Sequence, residues 1–202
     1  MAKARRRATA AVSARTPTYP GTIRIIAGRW RGRRLSVPVA AGLRPTPDRV
    51  RETLFNWLAP YLAGARCLDL FAGTGALCLE ALSRGAGAAV MVEQAAPAAQ
   101  ALRQNIARLK AENARVVNMD AVDYLGQTPE PFDIVFIDPP FQSDLIAVCS
   151  ALVEERGWLR PGGLVYIEAP AALMDLPLPR AWELIRSKRA GQVGYHLARK
   201  KE

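Results

Sequence analysis

Residues 67–77 read Cys67-Leu68-Asp69-Leu70-Phe71-Ala72-Gly73-Thr74-Gly75-Ala76-Leu77. An apolar run of strand length is followed by a glycine-rich turn and then by residues that favour a helix. Such a turn lets a ligand approach the backbone closely at the carboxyl end of a strand. Position 78 is Cys78, where a dinucleotide-binding G-x-G-x-x-G turn has its third glycine, so a nicotinamide or flavin cofactor is disfavoured.

Strand-like and helix-like segments alternate on the carboxyl side of this turn. Apolar runs of strand length occur at 67–71, 89–93, 116–119, 134–137 and 164–168, and helices are predicted near 76–84, 97–109, 121–125 and 143–155. This alternation predicts a doubly wound α/β fold whose parallel strands are covered on both faces. Residues 182–189 and 193–199 instead predict a C-terminal antiparallel hairpin.

Two acidic residues follow predicted strands. Glu93 closes the second strand, 20 residues after Gly73, where a carboxylate can accept both ribose hydroxyls of a nucleoside. Asp120 closes the third strand, where it can accept a hydrogen bond from an adenine amino group. Each acid alone is also compatible with a solvated strand end, but together with the glycine turn they predict a nucleoside site.

The fourth strand runs into Asp138-Pro139-Pro140-Phe141. Two prolines remove two N–H donors, so this turn presents acceptors, namely the Asp138 carboxylate and the Pro139 carbonyl. Two acceptors can hold both hydrogens of an amino group on a nucleobase and direct its lone pair toward an electrophile, while Phe141 stacks on the base. The electrophile is predicted to be the sulfonium methyl group of S-adenosylmethionine. The alternative is a strand-ending turn without chemistry.

The three cysteines and the single histidine indicate neither a metal site nor a covalent mechanism. Cys67, Cys78 and Cys149 lack the spacing of metal ligands, and only His196 could assist them. Neither Cys67 nor Cys149 lies on the turn after the fourth strand, so neither is predicted to be a nucleophile. The N-terminal segment lacks the apolar core of a secretory signal, and no apolar run reaches the roughly 20 residues of a membrane helix. A cytoplasmic protein is therefore expected. The protein is also expected to be a monomer.

The net charge of +10 is concentrated at the N-terminus. Residues 1–47 hold eleven of the 28 Lys and Arg residues and no acidic residue, and the rest of the chain carries seventeen basic against eighteen acidic residues. This asymmetry is typical of a protein that binds a polyanion. Residues 1–22 are predicted to form a flexible arm, and for residues 1–20 a solubilising or poorly ordered tail is equally compatible with the composition.

A basic β-ribbon is predicted over residues 23–43. Short β-prone runs at 23–26 and 34–37 flank a turn that contains Gly28 and Gly32. Guanidinium groups bind phosphates and an indole can stack on a base, so five residues are predicted to contact RNA: Arg29, Trp30, Arg31, Arg33 and Arg34. The alternative for Trp30 is packing of the ribbon against the domain. Residues 44–202 are predicted to form the catalytic domain, with Thr46 capping a first helix that has Pro47 at its first position and ends at Gly64.

The sequence resembles the RsmD family of bacterial guanine-N2 methyltransferases, which act on guanine 966 of 16S ribosomal RNA. The resemblance spans roughly residues 23–168 and is carried by four stretches: residues 23–33, residues 43–58 from Leu43-Arg44-Pro45-Thr46 to Trp57-Leu58, residues 68–77, and residues 135–141 with Asp138-Pro139-Pro140-Phe141.

The resemblance implies the Rossmann-like class I methyltransferase fold, with seven strands in a mostly parallel sheet. It also implies site roles. Gly73 and Gly75 would flank the methionine part of S-adenosylmethionine, with Asp69 beneath it, Glu93 at the ribose and Asp120 at the adenine. Thr46 would help close the cofactor pocket, and Asp138, Pro139 and Phe141 would hold guanine. The partner would be ribosomal RNA within a small subunit or an assembly intermediate.

Two other functions remain open at this point. One is an amino methyltransferase of another substrate, such as DNA adenine or cytosine, tRNA or a protein glutamine. Enzymes of the glutamine type have Asn where this chain has Asp138, and a DNA enzyme usually carries a separate base-reading domain. The other is a non-catalytic RNA-binding assembly factor, against which Asp138, Phe141 and Glu93 count.

Overall fold

The computed structural model describes residues 21–36, 46–140 and 144–202. The first part is a two-stranded antiparallel ribbon of β1 (Thr22–Arg24) and β2 (Arg34–Ser36), which confirms the predicted strand pair. The predicted arm over residues 1–22 and the end of the predicted ribbon at residue 43 lie largely outside the described residues. The domain boundaries therefore stay a prediction.

A seven-stranded sheet forms the centre of the molecule, in the order β5-β4-β3-β6-β7-β9-β8. Its members are β3 (Arg66–Asp69), β4 (Ala88–Val92), β5 (Ala114–Val117), β6 (Phe132–Ile137), β7 (Leu159–Pro170), β8 (Trp182–Ala190) and β9 (Val193–Lys200). The strands from β5 to β7 are parallel, and β9 pairs antiparallel with both β7 and β8. The predicted α/β fold with its C-terminal hairpin is confirmed.

Helices cover both faces of this sheet. They are α1 (Asp48–Leu58), α2 (Ala76–Ser83), α3 (Ala96–Leu109), α4 (Ala121–Leu125) and α5 (Leu145–Glu155). The first three share one apolar core with one face of the sheet, and α4 and α5 share a second core with the other face. This explains the almost uniformly apolar strands, since a strand covered on both sides buries every side chain. Among the described helices, none has the length and apolar character needed to cross a membrane.

The first helix differs from its prediction at both ends. Pro47 occupies the N-cap position, and α1 begins at Asp48 without a side-chain cap. Thr46 does not cap the helix because its hydroxyl donates instead to Glu168, at 3.0 Å. The helix ends at Leu58 rather than near Gly64, because Pro60 lacks an N–H donor and a short 3₁₀ turn over Ala59–Tyr61 follows.

Other element boundaries shift where sheet pairing decides them. β5 lies two residues earlier than predicted, because its pairing with β4 begins at Ala114 although Arg115 is exposed. β7 extends beyond its apolar run at both ends, because Leu159 already pairs with Phe132 of β6 and the pairing with β9 continues to Pro170. Hydrophobicity locates a strand, but its neighbours determine how far the strand extends.

Candidate active site

A cavity of about 730 Å³ opens at the carboxyl edge of the parallel strands. This volume falls within the usual range for small-molecule sites, roughly 300–1,000 Å³. Its walls come from the ends of β3, β4, β6 and β7, the loop after β5, the segment before α1, and the two sides of the β8–β9 turn. The lining includes every described residue predicted to hold cofactor or substrate except Gly75, namely Thr46, Asp69, Gly73, Glu93, Asp120, Asp138 and Pro139.

The glycine turn between β3 and α2 has a backbone that only glycine adopts readily. Gly73 and Gly75 have φ values of 48° and 77°, in the left-handed region. A Cβ atom at Gly75 would also lie 2.5 Å from Cδ2 of Leu102. The turn is tied to the next strand by a hydrogen bond of 2.9 Å from the Ala72 amide to the carbonyl of Val92. It therefore leaves a backbone-lined wall at Gly73 and holds α2 close to the sheet at Gly75.

Glu93 joins the glycine turn to the end of β4. Its Oε2 accepts a hydrogen bond from the Gly73 amide at 2.8 Å, and its Oε1 accepts one from the Ala95 amide at 2.7 Å. The side chain is 9% exposed and lines the cavity. Because each carboxylate oxygen has two lone pairs, Glu93 can still accept hydroxyl hydrogens from a ligand while the two amides fix its orientation.

Asp120 caps a helix at the rim of the cavity. Its Oδ1 accepts from the Val122 amide at 2.7 Å and more weakly from the Asp123 amide at 3.4 Å, so it forms the N-cap of α4. This capping role is one that sequence reasoning did not assign. The prediction that Asp120 contacts an adenine amino group stays a prediction.

Three carboxyl groups lie side by side at the ends of neighbouring strands. Asp69 of β3 pairs in register with Phe136 of β6, and Phe136 pairs with Tyr166 of β7. Asp138 is the first residue after β6. Glu168 lies two residues beyond Tyr166 on β7, which places it opposite Asp138. Burial raises the pKa of Asp69 from 3.8 to about 7, with smaller contributions from Glu93 and Glu168.

The same environment affects the other two acids of the row. Burial raises the pKa of Asp138 well above its usual value, and the nearby charges of Glu168 and Asp69 raise it further. Burial also raises the pKa of Glu168, although hydrogen bonds from Tyr166 and Thr46 oppose the increase. The three acids thus disfavour one another's ionisation, and no described Lys or Arg side chain forms an ion pair with them.

Glu168 is the site residue that sequence reasoning missed. It is 4% exposed, lines the cavity and accepts hydrogen bonds at one oxygen, Oε1, from Thr46 Oγ1 at 3.0 Å and Tyr166 Oη at 2.8 Å. Its sequence signal was present, since it ends the apolar run of residues 164–168 in the way that Glu93 ends the run at 89–93. Thr46 lies in the cavity wall and is connected to the sheet through Glu168, and its role in closing a cofactor pocket stays a prediction.

The turn after β6 is described only in part. Asp138 and Pro139 line the cavity, Pro140 is exposed at its rim, and Phe141 lies outside the described residues. The cysteines contribute no chemistry here. All three are buried thiols, and burial raises the pKa of Cys149 to about 12, which keeps it protonated. Among the described residues, no group of His, Cys, Asp and Glu could hold a metal ion.

The predicted RNA-contacting residues lie away from the cavity. The turn of the ribbon rests against the C-terminal end of α2, where the Trp30 amide donates to Ser83 Oγ at 3.0 Å. α2 begins at the glycine turn and is about 12 Å long, so the ribbon turn and the glycine turn lie at opposite ends of this helix. Exposed side chains there belong to Arg29, Arg31, Arg33 and Arg34. Their contact with RNA stays a prediction.

Trp30 requires a correction. Its indole is 6% exposed and belongs to the apolar core shared with α1 and α2, and the Arg29 guanidinium lies 4.0 Å from the ring centroid. An indole enclosed in this way has no open face for a base, so the prediction that Trp30 stacks on RNA is wrong. The alternative, in which Trp30 packs the ribbon against the domain, describes the structure.

Comparison with known proteins identifies close relatives of this chain. The family model described as "Conserved hypothetical protein 95" matches residues 23–199. The chain is 53% identical over 177 residues to ribosomal RNA small subunit methyltransferase D of Escherichia coli strain K12, covering 88% of this chain and 89% of that protein. It is 46% identical over 188 residues to the protein of the same name from Haemophilus influenzae, covering 90% and 96%. The solved structure of the Escherichia coli protein yhhF superposes with a TM-score of 0.83 at 52% identity, covering 90% of this chain and 99% of that one.

Proposed function

The chain belongs to the RsmD family of ribosomal RNA small subunit methyltransferases, and on that premise we propose that it transfers a methyl group from S-adenosylmethionine to the exocyclic N2 of a guanine in 16S ribosomal RNA. The observation that carries the choice of an amino group is the position of Asp138 and Pro139. Both line the same cavity as the glycine turn and Glu93, one strand away from β3.

The residues of the cavity fit S-adenosylmethionine. Glu93 would accept hydrogen bonds from the ribose hydroxyls through its remaining lone pairs. The backbone wall at Gly73, above Asp69, would hold the methionine part, and the rim near Asp120 would hold the adenine. When bound, the cofactor supplies an electrophilic methyl group on a positively charged sulfur. Asp69, at the end of β3, would place a carboxyl group near that positive charge.

The chain's own residues position the nucleophile. Asp138 and the Pro139 carbonyl accept the two hydrogens of the amino group, and the N2 lone pair then faces the methyl carbon. The new nitrogen–carbon bond forms as the carbon–sulfur bond breaks, and the electron pair of that bond goes to sulfur. The positively charged N2 then releases one proton to Asp138 or to water. Positioning supplies most of the rate, and neither a metal nor a covalent intermediate takes part.

The proposal extends to the partner and the compartment. The exposed basic residues of the ribbon support binding of ribosomal RNA. The RNA would be bound within a small subunit or an assembly intermediate, and the enzyme would be monomeric and cytoplasmic. Naked 16S RNA, small subunits and assembly intermediates can be compared as substrates in one assay, and a rate on naked RNA equal to that on particles would contradict this extension.

The chemical proposal is tested by identifying the modified nucleoside. Small ribosomal subunits from a strain that lacks the endogenous enzyme are incubated with the protein and methyl-labelled S-adenosylmethionine, and their RNA is digested to nucleosides. Label is expected in N2-methylguanosine. Label in N6-methyladenosine, or only in protein, would contradict the proposed function and favour another amino methyltransferase.

A further inference from the structure

Glu168 lines the cavity on β7, three strands from β4 and from Glu93, the residue that would hold the ribose of the cofactor. Along the edge of the sheet the strands follow the order β4, β3, β6, β7, with Glu93, Asp69, Asp138 and Glu168 at or just beyond their ends. Neighbouring strands are about 4.8 Å apart, so each acid lies one step further from the ribose position. Glu93 and Asp69 belong to the cofactor half of the cavity, and Asp138 and Glu168 belong to the half that receives the acceptor base.

The two oxygens of Glu168 have different surroundings. Oε1 accepts hydrogen bonds from both Thr46 and Tyr166, which fix the carboxyl group and stabilise its ionised form. No residue that the structure describes donates to Oε2. Glu168 is nevertheless buried, with an exposed fraction of 4%, and it lines the cavity. Because Glu168 lines the cavity, a ligand there can donate a hydrogen bond to Oε2 in place of water.

The donor that Oε2 needs can be identified from the chemistry of the bases. Glu168 stands opposite Asp138 across β6 and β7, so a base whose Watson–Crick edge is turned toward β7 would present to Glu168 the ring neighbour of an amino group held by Asp138. In guanine that neighbour is N1, which carries a hydrogen. In adenine and cytosine the corresponding ring nitrogen carries a lone pair and would face the carboxylate unfavourably.

We infer that Glu168 accepts the N1–H of the target base and thereby selects guanine over adenine and cytosine. This inference rests on the proposed function. It gives Glu168 a role in specificity that is separate from the role of Asp138, which holds the amino group that reacts. Thr46 and Tyr166 act as positioning residues, because both touch Glu168 rather than the base.

The titration of the acid row is consistent with this role. Burial raises the pKa of both Asp138 and Glu168, and the charge of Glu168 raises the pKa of Asp138 further. Guanine offers N–H donors to both groups, which favours their ionised forms.

The inference is tested with base analogues that differ at N1. The substrate is 16S RNA assembled by ligation and reconstituted into small subunits, with guanine or 2-aminopurine at the methylated position. Both bases have a 2-amino group, but N1 of 2-aminopurine carries a lone pair instead of a hydrogen. The wild-type enzyme is expected to favour guanine in kcat/KM by about 10- to 100-fold, the range for hydrogen bonds to charged groups.

The decisive variant is Glu168→Gln, whose side-chain NH2 can donate to the N1 lone pair of 2-aminopurine. We expect kcat/KM for guanine to fall about 10- to 100-fold, while the rate on 2-aminopurine is retained or increases, so that the preference is lost or reversed. Glu155→Gln is the matched control, because Glu155 is exposed at the end of α5 and outside this cavity, and it should keep the wild-type preference.

Two outcomes would overturn the inference. One is an equal loss of activity on guanine and on 2-aminopurine in Glu168→Gln. The other is an effect confined to the dissociation constant of S-adenosylmethionine, measured by calorimetry without RNA, which would assign Glu168 to the cofactor. Failure of the proposed function is distinguishable, because the wild-type enzyme would then form no N2-methylguanosine at all.

Discussion

Two groups of buried carboxyls in this protein differ in what surrounds them. Glu80, on α2, is fully buried and satisfied by the protein: it accepts from the amides of Ile26 and Ala27, and its Oε1 also accepts from Arg84 at 2.6 Å. Glu168, with Asp138 and Asp69 beside it, lines a cavity and forms no ion pair with any cation of the described chain. A compensated buried acid holds the fold together, whereas an uncompensated row of acids indicates a site for a ligand.

The Glu80 cluster explains how the ribbon is attached. Arg51 of α1 is 1% exposed and donates to the carbonyl of Arg24 at 2.9 Å, and one of its nitrogens lies 3.9 Å from Glu80. Two ribbon amides, two helices and two guanidinium groups therefore meet at one carboxylate. The ribbon is fixed to α1 and α2 by this cluster, and the catalytic edge of the sheet takes no part in it.

The largest expected effect follows from removal of the acceptor at the reacting group. Asp138→Ala should lower kcat by about 10²- to 10⁴-fold, because the amino group loses one of the two acceptors that orient its lone pair. The dissociation constant of S-adenosylmethionine should change little, since Asp138 lies beyond Asp69 from the ribose site. Single-turnover rates and calorimetry measure the two quantities.

Asp123→Ala is the control for this variant, because Asp123 is exposed on α4. If Asp138→Ala retained near-wild-type turnover, the acids of the row would be no more functional than Glu80, and the contrast between the two groups would be lost.

The second prediction compares Glu80→Gln with Glu168→Gln in urea unfolding. The first leaves the half-buried Arg84 without its carboxylate and leaves the buried Arg51 paired with Asp48 alone. Breaking a buried ion pair in this way costs up to about 3–5 kcal/mol of the free energy of unfolding. The second removes a negative charge from a row that lacks cations, so its stability should be unchanged or higher at neutral pH. Equal losses in the two variants would show that Glu168 is as structural as Glu80.

The third prediction concerns pH. The pKa of Asp69 is raised from 3.8 to about 7, so the folded state holds a proton that the unfolded state releases between these values. The contribution of Asp69 to stability is therefore fully present below pH 4 and is lost as the pH rises through about 7. Asp69→Asn lacks this titration. As the pH rises across this window, the free energy of unfolding of the variant should therefore increase relative to that of the wild type by about 1 kcal/mol per pH unit.

Urea titrations of both proteins at several pH values measure this difference, with Asp123→Asn as the control. A difference that does not vary with pH would mean that Asp69 is ionised throughout and compensated like Glu80.

Only part of the contrast between the Glu80 cluster and the row of acids at the cavity could be predicted from the sequence. Glu93 was identified by its spacing from the glycine turn and Asp138 by the two prolines that follow it, whereas the role of Asp69 came from the family resemblance. Glu168 was missed because its significance depends on its position opposite Asp138, on the neighbouring strand. The register between two strands that are distant in sequence cannot be deduced from the sequence of either strand. The buried role of Glu80 was equally hidden, since a helical glutamate next to Arg84 looks like an exposed pair until the ribbon packs over it.

Trp30 illustrates the opposite error. An indole among four arginines has the composition of a nucleic-acid contact, but composition does not reveal which face of a turn is covered. Trp30 lies against Ser83 and the core, and only the guanidinium groups around it remain exposed. Local composition predicted the charge of this surface correctly and the role of its aromatic residue incorrectly.

The smallest expected effect lies on the ribbon and separates its exposed surface from its buried anchor. Arg31→Ala with Arg33→Ala should weaken binding to ribosomal RNA a few-fold and reduce the slope of log Kd against log salt concentration by about one for each phosphate that is no longer neutralised. Stability should be unchanged, because both side chains are exposed, whereas Glu80→Gln beneath the same ribbon should lose stability. Filter-binding titrations from low to physiological salt measure the slope, with Arg103→Ala on α3 as the exposed basic control. A salt slope equal to that of the wild type would show that the ribbon turn is not part of the RNA interface. Because the ribbon turn and the catalytic edge lie at opposite ends of α2, the RNA-binding surface would then be expected nearer the cavity.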